Sequence, residues 1–312
     1  MIDKFDPGHL TEALFHLNEA RDLDKSGQPF TRIAEVLFHG LNRLQTGLLD
    51  SAATSEVAVF VELVETTASS KVGKERLIGT ELRALARLKP RVMDHNVLRR
   101  GDYRPGLDIG DDLMKDATRE HRKLENALER LDKGQPETFR QVMKRCAQLL
   151  YIVRSNIAHG EKTPYGPDPD KKKRDEQVCR LVVPLCRVVI DLLLECPSCR
   201  LVVYGTLAPG QPNHHVIQAI EGSWRPCRLN AVVKELHGLP VMTWLPRGRL
   251  TVDALLFESD DLPGHWQVLD RFEGTGYRRH LVEASVSTSG EREDATVANA
   301  YIGSVDENHL VY

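Results

Sequence analysis

The spacing of apolar residues changes character between Cys196 and Arg200, and that change sets what the chain can fold into. Upstream, apolar residues recur at helical intervals: Leu14, Phe15 and Leu17 within Thr11 to Ala20, and Ile33, Val36, Leu37, Leu41, Leu44 and Leu48 within Ile33 to Leu49. The most periodic stretch is Thr138 to Ala158, with Phe139, Val142, Met143, Cys146, Leu149, Leu150 and Val153 on one side. A stripe of this period belongs to a helix with one buried face. Glu81 to Leu88 and Leu113 to Leu131 read the same way, the second ending at Asp132-Lys133-Gly134, a C-cap signal. Asp175 to Leu194 is a helix that Pro184 is expected to kink or interrupt, since proline lacks the ladder N–H and its ring collides with the preceding turn. Val57 to Val64 fits a buried helix or a strand, and Gly101 to Gly106 reads as a loop. Downstream the runs are short and β-like: Ala231-Val232-Val233, Val241 to Trp244, Leu255 to Phe257, Leu281 to Val286 and Val297 to Ile302, with turns at Gly238, Pro246, Gly248 and Gly274. The expectation is an all-α domain over 1–196 and a small mixed β domain over 201–312. A chain of 312 residues is long enough for a core in each.

Charge narrows the function classes. Residues 1–200 carry 33 Lys and Arg against 31 Asp and Glu, whereas 201–312 carry 9 against 14, consistent with the overall −3. Nucleic-acid contact is therefore expected in the N-terminal part, on a local basic surface. No stretch reaches the roughly eighteen apolar residues of a membrane-spanning helix. Met1 to Pro7 lacks the basic-then-apolar pattern of a secretory signal. A cytoplasmic protein without membrane attachment is expected. The 6 cysteines include one close pair, Cys196-Pro-Ser-Cys199, with no second pair to complete a zinc site. The expectation is therefore no metal, no cofactor and inert thiols, with that pair as the place for an adventitious disulfide.

Residues 203–215 read Val-Tyr-Gly-Thr-Leu-Ala-Pro-Gly-Gln-Pro-Asn-His-His, and Leu269-Asp270-Arg271-Phe272-Glu273-Gly274 follows, then Tyr277-Arg278-Arg279. An apolar strand that stops at Gly205 lets backbone N–H groups approach a ligand, and the prolines beyond keep those donors out of a strand ladder. Glu273 lies near Trp266, Leu269 and Phe272, so a partly apolar pocket is expected to raise its pKa and make it a better base near neutral pH.

These segments together resemble the gamma-glutamylcyclotransferase-like family, of the gamma-glutamylamine cyclotransferase type. The resemblance implies a small α+β fold built on a mixed β-barrel. It also implies that Glu273 takes a proton from the substrate's α-amine, which attacks its own γ-carbonyl to close 5-oxoproline. Tyr204, Gly205, Thr206 and Leu207 would hold the glutamyl group, with Tyr277 beside them as a further ligand-binding residue. Family members usually carry a Gly where this chain has Asp253, so a narrowed pocket is expected.

Arg154-Ser155-Asn156-Ile157-Ala158-His159-Gly160-Glu161-Lys162 closes the most periodic helix. It is similar to the Arg-x4–6-His signature of the HEPN family, helical domains that often act as metal-independent RNases. The resemblance implies a HEPN-like bundle and a homodimer, because Arg154 and His159 lie about 140° apart on an ideal helix and one copy does not align them. In that reading His159 is general acid or base, Arg154 stabilises the scissile phosphate and Asn156 orients either group. The basic run Lys171 to Arg174 is a candidate phosphate contact. Beside a reading in which both parts bind without catalysis, two functions follow. One is a ribonuclease effector fused to a γ-glutamyl sensor or enzyme, a toxin or antiphage factor with RNA, a small γ-glutamyl or amino-acid-like ligand and an antitoxin or defence protein as partners. The alternative is a metabolic γ-glutamylamine cyclotransferase whose helical half only dimerises.

Overall fold

The computed structural model describes residues 2–49, 58, 79–87, 111–135, 138–158, 169–236, 238–287 and 293–303. The Val57 to Val64 run apart from Ala58, the Gly101 to Gly106 loop and His159 to Lys162 lie outside the described residues. The chain divides into two compact units, Leu23–Leu193 and Met1–Asp22 with Leu194–Tyr312. The first 22 residues are thus grouped with the C-terminal part, whereas the sequence placed them in one continuous domain to residue 196.

In the helical unit, α2 (Phe30–Thr46) packs on α5 (Thr138–Ala158) and α6 (Pro169–Leu193), while α3 (Thr80–Arg87) packs on α6 and on α4 (Asp111–Asp132), which also lies against α5. α2 follows Pro29, which has no side-chain acceptor to cap the helix. Glu176 of α6 supplies it instead, accepting the N–H of Phe30 at 2.8 Å and of Thr31 at 3.2 Å, where a carboxylate also complements the helix dipole. Arg83 and Asp132 join α3 to α4 by a two-pronged ion pair at 2.8 and 2.7 Å. α6 runs unbroken through Pro184, so of the two expected outcomes, kink or interruption, the interruption does not occur. An interior proline costs about 3 kcal/mol. Val182, Val183, Leu185 and Cys186 around it are all buried, and burying a Val or Leu side chain returns about 1.5–3 kcal/mol each, enough to carry the helix across.

The second unit is built on β1 (Arg200–Val203), β2 (Ser223–Leu236), β3 (Leu239–Trp244), β4 (Thr251–Glu258), β5 (Tyr277–Ser287) and β6 (Glu293–Gly303), with α7 (Leu262–Glu273) between β4 and β5. The strand order is β3-β2-β4-β1-β6-β5, and β2 also pairs with β5, closing a small barrel. β1 and β6 run parallel and the other pairs antiparallel. Side chains alternate across each strand, so Val202 and Leu256 enter the barrel core while Leu201, Val203 and Phe257 face a second apolar layer with Leu262, Trp266 and Leu269 of α7. Both faces of β1 are buried, which is why its sequence is a continuous apolar run.

α1 (Pro7–Lys25) explains why the N-terminus groups here. The buried Asn18 lies against β5 and substitutes for a neighbouring strand: its Nδ2 donates to Leu281 O at 2.9 Å, and Leu281 N donates to its Oδ1 at 2.7 Å. Thr11 donates to Glu283 at 2.9 Å, Arg21 to Asn299 Oδ1 at 2.8 Å, and Asp22 pairs with Arg278 at 3.0 Å.

Before β1, Glu195 and Cys196 both sit in the left-handed region, with φ of 60° and 61°. That conformation costs an L-residue about 1–2 kcal/mol. The next turn is pinned: Asn299 Nδ2 donates to Pro197 O, Trp266 Nε1 to Ser198 O at 2.9 Å, and Ser259 N to Cys199 O at 3.0 Å.

Candidate active site

The end of β1 opens into a cavity of about 170 Å3. Its lining includes Tyr204, Gly205, Thr206, Leu207, Glu273 and Tyr277, together with Asn213, Pro240, Phe272 and Tyr301. Gly205 is required by packing, since a Cβ there would stand 2.9 Å from Pro240 Cγ. The carbonyls of the loop are taken up internally: Ala208 N donates to Gly205 O at 3.1 Å, Asn213 N to Thr206 O at 3.0 Å, and the His214 ring nitrogen Nδ1 lies 3.0 Å from Leu207 O. Asn213 Nδ2 also donates to the Thr206 hydroxyl at 2.9 Å. No hydrogen bond donated by the N–H groups of Gly205, Thr206 and Leu207 is found among the described residues, and all three residues line the cavity, as backbone donors for an anionic group would.

Glu273 lines the same cavity. It is the last residue of α7, which stops there because Gly274 turns to φ 69°, a conformation glycine adopts without penalty. Burial pushes its carboxyl up to about 7, and a position at the negative end of a helix works in the same direction. Burial likewise raises the phenols of Tyr204 and Tyr277, with the Glu273 charge a lesser cause, so both stay neutral donors. Tyr204 Oη donates to Tyr301 O at 2.7 Å, and Tyr277 Oη donates to Pro240 O at 3.1 Å.

Arg279, the end of the Tyr-x-Arg signature, lies behind this wall. Its Nε and Nη2 donate to the two Asp270 oxygens at 2.8 and 3.1 Å, Tyr301 Oη donates to Asp270 at 2.8 Å, and the guanidinium stacks 4.4 Å over the Trp266 ring. Asp270 and Trp266 both belong to α7, so the clamp fixes the helix that ends in Glu273. Asp253, expected to narrow the cavity, does not line it: its side chain is 87 % exposed and pairs with Arg228 at 2.9 Å. Phe272 is expected from sequence in the apolar surroundings of Glu273, while sequence reading missed Asn213, Pro240 and Tyr301 as lining residues. Asn213 and Phe272 lie inside the quoted motifs, whereas Pro240 and Tyr301 come from distant strands and carry no local signal.

In the helical unit, Arg154 and Asn156 lie on the last turns of α5, which ends at Ala158. The half-exposed Arg154 guanidinium stacks 5.7 Å from the Tyr151 ring, and Asn156 is 3 % exposed. His159 lies outside the described residues. Among the described residues no His, Cys, Asp and Glu group is arranged to hold a metal ion, and no helix is long and apolar enough to cross a membrane.

Residues 201–310 match the family described as gamma-glutamyl cyclotransferase, AIG2-like. The cyclotransferase-like domain thus spans β1 to β6, the cavity and Glu273. No curated protein matches the chain. Among solved structures, an AIG2-like protein from Mus musculus is 24 % identical, covering 36 % of this chain and 82 % of that one, with a TM-score of 0.29. An uncharacterised protein from Pyrococcus horikoshii is 25 % identical over 34 % of this chain and 79 % of that one, at 0.25. YkqA from Bacillus subtilis is 24 % identical over 34 % and 36 % of the two chains, at 0.28. The family match stops short of residues 154–159, and the HEPN resemblance stays one of sequence.

Proposed function

We propose that the cyclotransferase-like domain releases 5-oxoproline from γ-glutamylamines. The observation that carries this reading is that Glu273, a carboxyl that burial pushes up to about 7, lines the same small cavity as Gly205, Thr206 and Leu207. The substrate's carboxylate and γ-carbonyl meet the backbone N–H groups of those three residues, and its α-amine meets Glu273. As the amine nitrogen bonds to the γ-carbon, Glu273 takes its proton. The backbone donors stabilise the oxyanion, usually a large term in acyl transfer. The C–N bond to the leaving amine then breaks, and the proton passes from Glu273 to that amine. A base whose pKa lies near the working pH serves both transfers.

The test is release of 5-oxoproline from γ-glutamyl-ε-lysine by the purified chain, with binding followed by calorimetry. Wild type is expected to release it, and Glu273→Gln to bind at nearly unchanged affinity without product, because the amide keeps the shape but cannot accept the proton. Binding by wild type without product would make the cavity a sensor. No binding by wild type would reject the reading.

For the helical unit, RNA cleavage by Arg154 and His159 in a homodimer is a second proposal. Its support is the sequence signature together with a half-exposed Arg154 on the last turns of α5. Loss of cleavage in His159→Ala, with 5-oxoproline release unchanged, tests it.

A further inference from the structure

Of the cysteines, Cys146, Cys179, Cys186 and Cys227 are buried, while Cys196 and Cys199 are half-exposed. Burial pushes the Cys146 and Cys227 thiols up to about 12, which leaves them as inert core residues at neutral pH. The remaining pair occupies a different setting. Cys196 and Cys199 flank one short 3-10 turn, closed by Cys199 N donating to Cys196 O at 2.9 Å. Residues three apart in such a turn have Cα atoms within about 7 Å, and a disulfide needs about 4.4–6.8 Å.

The turn is strained and held at the same time. Glu195 and Cys196 are the positive-φ residues other than glycine among the described residues, and they are adjacent. A strained backbone persists only where its surroundings over-determine it, and such outliers gather at functional positions. Here the surroundings are specific: the carbonyls of Pro197, Ser198 and Cys199 each accept a hydrogen bond, from Asn299, Trp266 and Ser259. Asn299 is itself buried and accepts from Arg21 at 2.8 Å. Three donors from separate parts of the unit therefore fix the chain between two half-exposed cysteines. Ordinary packing of inert cysteines needs neither the strain nor the anchors.

We infer that Cys196 and Cys199 form a redox-active dithiol, oxidised to an intramolecular disulfide by exchange with low-molecular-weight disulfides such as glutathione disulfide. The thiolate of one cysteine attacks a glutathione sulfur and breaks the glutathione S–S bond, releasing one glutathione and leaving a mixed disulfide. The second cysteine then attacks the protein-side sulfur, forming the Cys196–Cys199 bond and releasing the second glutathione. Two electrons pass to glutathione disulfide, and the two thiol protons end on the two glutathione thiols. The site is independent of the cyclotransferase and ribonuclease readings.

The experiment equilibrates the full chain in buffers of reduced and oxidised glutathione, quenches with acid, alkylates the remaining thiols and weighs the tryptic peptide Val188–Arg200, which contains both residues. The expected result is a peptide lighter by two hydrogens, accumulating as the buffer becomes more oxidising. Its equilibrium constant for oxidation should be at least about tenfold larger in the folded chain than in the same chain in urea, equivalent to about 30 mV for a two-electron couple. Cys196→Ser and Cys199→Ser should each abolish the disulfide and leave one glutathione adduct on the remaining thiol. The inference is overturned if the folded chain keeps the dithiol where the urea-unfolded chain is oxidised, if both cysteines carry glutathione at equilibrium, or if the two constants are equal.

Discussion

At the scale of single residues, Glu273 combines a cost and a use. Its carboxyl is raised from 4.5 to about 7, so the folded chain holds a proton that the unfolded chain has already lost as pH rises through that interval. Stability is therefore lost between about 4.5 and 7, and the full cost remains above 7. Glu273→Gln removes the titration, and at pH 8 it should stabilise the chain by about 1–3 kcal/mol, a gain that fades below pH 5 and is read from urea unfolding at both pH values. In the proposed cyclotransferase reaction the same proton acts in the opposite sense: kcat/KM should rise with pH through about 7 as the base is freed, whereas Glu273→Gln should stay flat near zero. The candidate site was only partly legible from such residues. Tyr204 to Leu207 and Glu273 stand in quotable motifs, because a loop that must expose backbone donors needs particular residue types in sequence. Tyr301 offers no such signal, since β6 supplies it through strand pairing alone.

At the scale of elements, α7 and α6 show packing overriding local preference. α7 is held by the Arg279 contacts to Asp270 and Trp266 and does not rely on an N-cap, since Asp261 makes no capping bond. Arg279→Ala is expected to lower stability by about 1–2 kcal/mol, the worth of a partly exposed charged pair plus a stacked guanidinium. The loosened helix should also lower kcat more than it changes KM, because the cavity donors stay in place while Glu273 wanders; steady-state kinetics beside thermal melting checks both. In α6 the proline lies inside a continuous helix. Pro184→Ala restores the missing N–H and should raise stability by about 1–3 kcal/mol, measured as a higher urea midpoint with unchanged slope. Periodicity found α6 but began it at Asp175 and not Pro169, and Pro184 does not interrupt it, since the residues that outweigh its cost are buried around it.

At the scale of the whole molecule, the C-terminal unit borrows its N-terminal helix from the far end of the sequence. A chain starting at residue 23 removes the bonds from Asn18 to Leu281, Thr11 to Glu283 and Arg21 to Asn299, each worth about 0.5–1.5 kcal/mol, and the burial of Leu10, Leu14 and Leu17, each about 1.5–3 kcal/mol. That truncation should lower the melting temperature of the barrel by more than 10 °C, at roughly 2–5 °C per kcal/mol for a unit of this size, seen in near-ultraviolet circular dichroism. Melting at the full-length temperature would show α1 to be dispensable. By itself the amino-acid sequence determined where helical spacing gives way to strand spacing, the extent of helices such as Thr138–Ala158, and the loop after β1, because periodicity and turn chemistry act over a few neighbouring residues. Only the tertiary structure decided that residues 1–22 join the barrel, that β2 closes on β5, that Asp253 leaves the cavity clear and that Cys196 sits in a strained, anchored turn. Each of those depends on hydrogen bonds and burial between residues tens to hundreds of positions apart, which spacing along the chain does not encode.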